Sequence, residues 1–182
     1  MISSLKTLFI VLGVSILTAC STPGHNVDGC AGSILEVPDA LVETTDSKIL
    51  AEAIGQPEKG ALCKAKVFEA LKPVTVYRVW DESKSFTLYG RWWSLLVPVG
   101  PREAYQAQNA ICPEWSVLNK MSACTLKIGT RVAIGPGQSA RCADRLLAAS
   151  PVNQVFVPND SRNDELMVEN CSAGEDWPQA QQ

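Results

Sequence analysis

The stretch Val74–Ser94, "VTVYRVWDESKSFTLYGRWWS", decides how the chain is read. Its first seven residues alternate like a strand, with Val74, Val76, Arg78 and Trp80 on one face and Thr75, Tyr77 and Val79 on the other. β-Branched and aromatic residues dominate, the composition that suits a pleated, half-buried surface. Arg78 is the exception. A guanidinium does not shed its proton, and burying one without a partner is costly. Two readings are open. Arg78 pairs with Asp81, Glu82 or another carboxylate at the strand end, or it serves a phosphate, whose oxygens match the planar fork at two points.

The end of the same stretch continues into "RWWSLLVP", a further strand. Gly90 before the two tryptophans permits a close backbone approach or a bulge. Trp92 and Trp93 are adjacent in a strand and so point to opposite faces. One can be core while the other lines a cleft and stacks on a flat ring, and Ser94 shares the face of Trp92 with a hydroxyl to donate. Packing of both rings is the plainer alternative. In "NQVFVP", Gln154 shares a face with Phe156. Its amide, able to donate and accept, is either a surface group or an orienting group in a site.

Outward from there, "KVFEAL", "CTLKIG", "TRVAIGP" and "PVNQVFVP" read as strands, with Gly129 between the second and third. "TTDSKILAEAIGQP" reads as a short helix. Thr45 to Ser47 offer capping oxygens, Ile49, Leu50, Ala53 and Ile54 form an apolar stripe, and Gly55 fits the C′ position ahead of Pro57. "PREAYQAQNAI" reads as a second helix, with Pro101 at its first turn, Glu103 beside the positive end of its dipole and a stop before Pro113. The expected fold class is α+β: a compact, antiparallel-rich sheet of about six strands with a few short helices.

Residues 1–19 read as a lipoprotein signal peptide. Lys6 supplies the positive charge, "TLFIVLGVSILTA" is too short to span a membrane, and the segment ends in "LTAC", which resembles a bacterial lipobox. That resemblance implies cleavage before Cys20, a lipid on its thiol and a membrane anchor, and Ser21 favours the outer membrane, facing periplasm or surface. Residues 20–60 then hold the anchor, a linker and the short helix, 61–160 the α+β domain, and 161–182 a polar tail. Without Cys20 the seven cysteines become six, Cys30, Cys63, Cys112, Cys124, Cys142 and Cys171. An even set in an exported chain reads as disulfides. Cys112 with Cys124 is the most local pairing, and Cys30 with Cys171 would tie the ends, but sequence alone does not choose among the possibilities.

Other chemistries find little footing. The single histidine, His25, lies in the linker, which argues against a Ser/His/Asp triad and against zinc; no metal is expected. Once Lys6 leaves with the leader, 15 basic residues face 19 acidic ones, a net charge of −4. With no basic stripe, nucleic acid is not an expected partner. "IGPGQSA" lacks the lysine and spacing of a phosphate loop. Glu114 in "CPEWS" is the one acid in an apolar, aromatic context.

The ordered series "YRV", glycine-aromatic-aromatic-Ser, "CPEWS", "GTRVAIGPGQSA" and "NQVFVP" resembles the ADP-ribosyltransferase-like domains of bacterial toxins, especially NAD-cleaving ones, over about residues 74–158. The resemblance implies an ADP-ribosyltransferase-like fold with NAD as substrate. It puts Tyr77 and Arg78 in the first motif, with Arg78 on the phosphates or ribose. Trp92 becomes the stacking wall for nicotinamide, Ser94 supplies a hydroxyl, and Gln154 is the polar residue of the catalytic strand. Phe156 departs from the pattern, because transferases of the Gln/Glu-x-Glu type carry Glu there. An NAD glycohydrolase without a protein acceptor remains open, and so does an inactive module that binds a protein or ligand. The disulfide set is a second departure.

Overall fold

A computed structural model describes residues 29–179, so the expectations for Lys6, Cys20, Ser21 and His25 lie outside the described residues. The described residues are mostly antiparallel sheet with two short helices. In order, the elements are β1 (Leu41–Thr44), α1 (Ser47–Ala53), β2 (Lys66–Ala70), β3 (Val74–Trp80), β4 (Trp92–Trp93) and α2 (Arg102–Gln108). They are followed by β5 (Lys120–Leu126), β6 (Arg131–Gly137), β7 (Ala140–Arg141), β8 (Leu146–Leu147), β9 (Ser150–Phe156), β10 (Val168–Glu169) and β11 (Glu175–Asp176). A 3₁₀ turn at Ser85–Tyr89 links β3 to β4.

One sheet runs β1–β2–β6–β9–β4, antiparallel throughout. A second is centred on β5, which pairs with β3 along its whole length and with β10 and β11 on its other edge. The sheets meet where Tyr77 and Ser94 exchange two backbone hydrogen bonds of 2.8 Å. Their inner faces share one core: Val76 and Leu126 from the second sheet meet Val132, Ile134 and Val155 from the first, all buried. Each such side chain gains about 1.5–3 kcal/mol over exposure. β7 and β8 form a separate hairpin.

The alternating stretches are where strands form, but several boundaries differ. β1 lies inside the segment expected to be a loose arm, because Leu41 is buried in the main core and the strand covers the edge of β2. The polar tail supplies β10 and β11. "RWWSLLVP" is extended in the sheet only at Trp92–Trp93. Gly55 does not take the left-handed role at the end of α1. Ile54, the capping residue, is extended, and a Cβ on Gly55 would lie 2.1 Å from the Gly60 carbonyl. Gly135 has a similar reason, since a Cβ there would lie 1.9 Å from the Lys64 carbonyl. Of the glycines in "IGPGQSA", Gly135 thus lets the Lys64 backbone approach, whereas a Cβ on Gly137 would meet the Gln154 side-chain amide at 2.9 Å.

The disulfides are Cys30–Cys63, Cys112–Cys142 and Cys124–Cys171. Both pairings singled out from sequence, Cys112–Cys124 and Cys30–Cys171, are replaced. Cys124 points into the core from the middle of β5, whereas Cys112 follows α2 and packs with the β7–β8 hairpin. Cys171 joins β10 to β11, which both pair with β5, and this brings it to 4.0 Å from Cys124 between Cα atoms.

Candidate functional site

β3 carries Arg78 on the face of Val74 and Val76, at the end of the core. Its Nε donates to the Thr87 carbonyl at 2.6 Å and its Nη1 to the Trp92 carbonyl. The guanidinium carbon stands 5.9 Å from the centre of the Trp93 ring, within range of a cation–π attraction. The carboxylate pairing considered from sequence does not occur. Asp81 accepts from Ser83 and lies 3.9 Å from Lys84, while Glu82 binds Asn119 and Lys120. Two carbonyls and a ring face thus take the place of an anion. Part of the residue stays open to a cavity, yet its charged head is largely out of water, and this desolvation pushes its pKa down from 12.5 to about 10. The side chain is still a cation at neutral pH.

Gly90 makes this seat possible. A Cβ there would lie 2.1 Å from Arg78 Nη2, so any side chain would push the guanidinium away. The Gly90 carbonyl also accepts from Trp93 Nε1 at 2.8 Å and from Asn159 Nδ2 at 3.1 Å. Trp93 is buried in the core. Trp92, on the opposite face and half-buried, packs edge-on against Phe156 with ring centres 5.2 Å apart.

Arg78, Trp92 and Gln154 line one pocket of about 480 Å³. Gln154 is buried on β9 and donates from Nε2 to the Asn109 carbonyl at 3.1 Å. Tyr105 enters from α2, where burial raises its pKa to about 12, so it presents a neutral phenol near Arg78. Trp115, half exposed, and Lys59 complete the rim, and among the described residues no Asp or Glu lines the pocket. The cavity is therefore basic and aromatic, able to hold an anion and to stack on a flat ring.

The walls carry backbone strain. Ala61, Ala110 and Leu118, all lining residues, have φ of 69°, 50° and 51°. Left-handed backbone costs a non-glycine residue about 1–3 kcal/mol, and such residues gather at binding sites. Ala110 has a local cause: it follows α2 in a C-terminal motif in which Ile111 N donates to the Gln106 carbonyl at 2.9 Å and Ala110 N to the Ala107 carbonyl at 3.5 Å.

Two expected site residues fall outside this pocket. The Ser94 hydroxyl donates to the Leu96 carbonyl at 2.7 Å and accepts from Leu96 N at 3.2 Å, closing its own turn. Tyr77 lies on the face of β3 opposite Arg78 and contributes its backbone to the sheet junction. Glu114 is exposed and accepts from Ala143 N at 2.9 Å. Its neighbours Cys112 and Cys142 are joined as a disulfide and have no thiolate to offer a metal. Tyr105 and Lys59 were not singled out from sequence. Their segments read simply as a helix and a loop, and no spacing links them to β3. No family model, no curated protein and no solved structure matches the chain.

Proposed function

We propose that the chain is an exported, lipid-anchored envelope protein whose domain binds a small anionic ligand carrying a flat ring. One observation carries this: a charged guanidinium with no carboxylate partner among the described residues forms part of a pocket wall beside Trp92 and Gln154. An incoming anion would restore the interaction that burial removes. NAD combines phosphates with flat rings, and the motif resemblance to ADP-ribosyltransferase-like domains makes it the first ligand to test. Binding without turnover fits the lining best. No acid lines the pocket, the Ser94 hydroxyl is engaged with Leu96, and Phe156 stands where related transferases carry Glu.

Cleavage of NAD is the second reading, favoured by the meeting of Arg78, Trp92 and Gln154 in one cavity. Here the nicotinamide–ribose bond breaks with its electron pair going to nicotinamide, which leaves neutral. Water adds to the ribose carbon and gives up a proton. Arg78 holds phosphate, Trp92 stacks on nicotinamide, and the Gln154 amide dipole faces the oxocarbenium-like ribose.

The test is calorimetric titration of the disulfide-bonded chain with NAD, with nicotinamide release followed in parallel, on the parent, Arg78→Ala and Gln154→Ala. Saturable binding without release, lost in Arg78→Ala, supports the module. Release by the parent but by neither variant selects the enzyme. Absence of binding by a folded parent rejects NAD for both readings. Labelling with a fatty acid, lost in Cys20→Ala, tests the anchor.

A further inference from the structure

Arg78 also lines a second cavity, of about 670 Å³, on the Gly90 side. Among the described residues, the charged groups that line it are Arg78, Arg91, Arg162 and a single carboxylate, Asp160. Three cations line it against one anion, with Glu52 behind Arg91 at 3.3 Å, in a chain whose overall charge is −3. Arg78 uses Nε and Nη1 on carbonyls, and its remaining nitrogen, Nη2, lies against Gly90 in the wall of this cavity.

The other two arginines are differently placed. Arg91 is held in position: Nε donates to the Asn159 carbonyl at 3.3 Å, Nη1 to Glu52 at 3.3 Å, and the guanidinium stands 5.8 Å from the centre of the Phe156 ring. Arg162 sits on a short loop that Asp160 organises, accepting from Arg162 N at 3.1 Å and from Asn163 Nδ2 at 2.9 Å. Those bonds turn the Asp160 carboxylate toward its own loop and, led by that from Asn163, hold its pKa below the usual 3.8. The Arg162 guanidinium has no ion pair among the described residues. The cavity therefore has one buried cation at its wall, one fixed cation and one unengaged cation at its rim, in surroundings that focus positive potential.

We propose that this second cavity is an oxyanion site, taking phosphate or sulfate as the free ion or as the terminal monoester of a larger molecule. Arg78, Arg91 and Arg162 supply the donors, and planar guanidinium groups suit tetrahedral oxyanions. The inference shares Arg78 with the ligand pocket and does not rest on that pocket being occupied.

The experiment is calorimetric titration of the full disulfide-bonded chain at neutral pH with inorganic phosphate, then with methyl phosphate. Saturable one-to-one binding that weakens as salt rises is expected. Arg162→Gln and Arg91→Gln should each weaken it about tenfold, the loss of one charge-assisted contact. Lys59→Gln, which changes only the first pocket, should leave it unaltered. Methyl phosphate binding as well as phosphate points to a monoester of a larger ligand, and clearly weaker binding points to the free ion. Lack of saturation in the millimolar range, or affinity undiminished in a folded Arg91→Gln/Arg162→Gln double variant, overturns the proposal. Loss of NAD binding in Lys59→Gln with phosphate binding retained separates the two cavities.

Discussion

Arg78 lies against Trp93, 5.9 Å from guanidinium carbon to ring centre, with the carbonyls of Thr87 and Trp92 as its hydrogen-bond acceptors among the described residues. The charge on an apolar strand face is accommodated by a carbonyl turn, a ring face and the missing side chain of Gly90. Burying a guanidinium this way lowers stability relative to an apolar residue of similar length.

Gly90 and Arg78 should therefore be energetically coupled. Gly90→Ala is expected to cost about 1–3 kcal/mol, the usual penalty of forcing extra volume into a packed site. Against an Arg78→Met background the same change should cost much less, because the unbranched thioether leaves room. A double-mutant cycle from urea unfolding checks this, with a coupling above about 1 kcal/mol expected.

Asp46 should set part of the acid limit of the fold. It caps α1, accepting from Lys48 N and Ile49 N at 3.1 Å each, and stands 3.5 Å from Arg131. These contacts, led by that from Ile49, hold its carboxyl below the usual 3.8. A depressed acid pKa gives stability that is present above the unfolded value and lost as pH falls through the folded one. Asp46→Ala should therefore lower the urea midpoint at pH 7, and the gap should narrow as pH drops below about 4. Asp46→Asn should retain much of the cap at neutral pH.

Removing the Cys124–Cys171 disulfide should loosen the C-terminal segment first. That bond closes a loop between residues 47 apart and holds β10 and β11, two-residue strands, onto β5. Cys124→Ala/Cys171→Ala should lose about 2–5 kcal/mol. Limited proteolysis should then cut between Asp160 and the C-terminus before it cuts β6 or β9, with mass spectrometry locating the sites.

Trp115 should matter to binding and little to folding. It lines the first pocket and is 49% exposed. Trp115→Ala is expected to weaken ligand binding about tenfold, within the range of a lost aromatic anchor. Its melting temperature should match the parent.

The parts readable from sequence are those with a local cause. Val74–Trp80 alternates and becomes β3, and Ser150–Phe156 becomes β9, which includes Pro151 and ends before Pro158. Asp46, within the Thr45–Ser47 capping group, does cap α1. Arg78, Trp92 and Gln154 stood out as polar or aromatic residues in strand settings, and they share a pocket. Tyr105 and Lys59 did not stand out, because nothing within their own segments distinguishes a pocket residue from an ordinary helix or loop residue. Face alternation puts Ser94 beside Trp92, but its hydroxyl is taken by Leu96 two residues on. β1 has four residues and little alternation, and it is a strand because β2 offers an edge.

By itself the sequence determined the long alternating strands, the two helices and where a charge interrupts an apolar face, since steric preference and side-chain period act over a few neighbours. Only the tertiary structure decided which cysteines meet, that Arg78 finds carbonyls in place of Asp81, and that Arg91 and Arg162 gather beside it. Those outcomes depend on how separate segments pack, from 9 and 14 residues apart for the Arg78 carbonyls to 47 for Cys124 and Cys171, and no pattern within one segment carries that information.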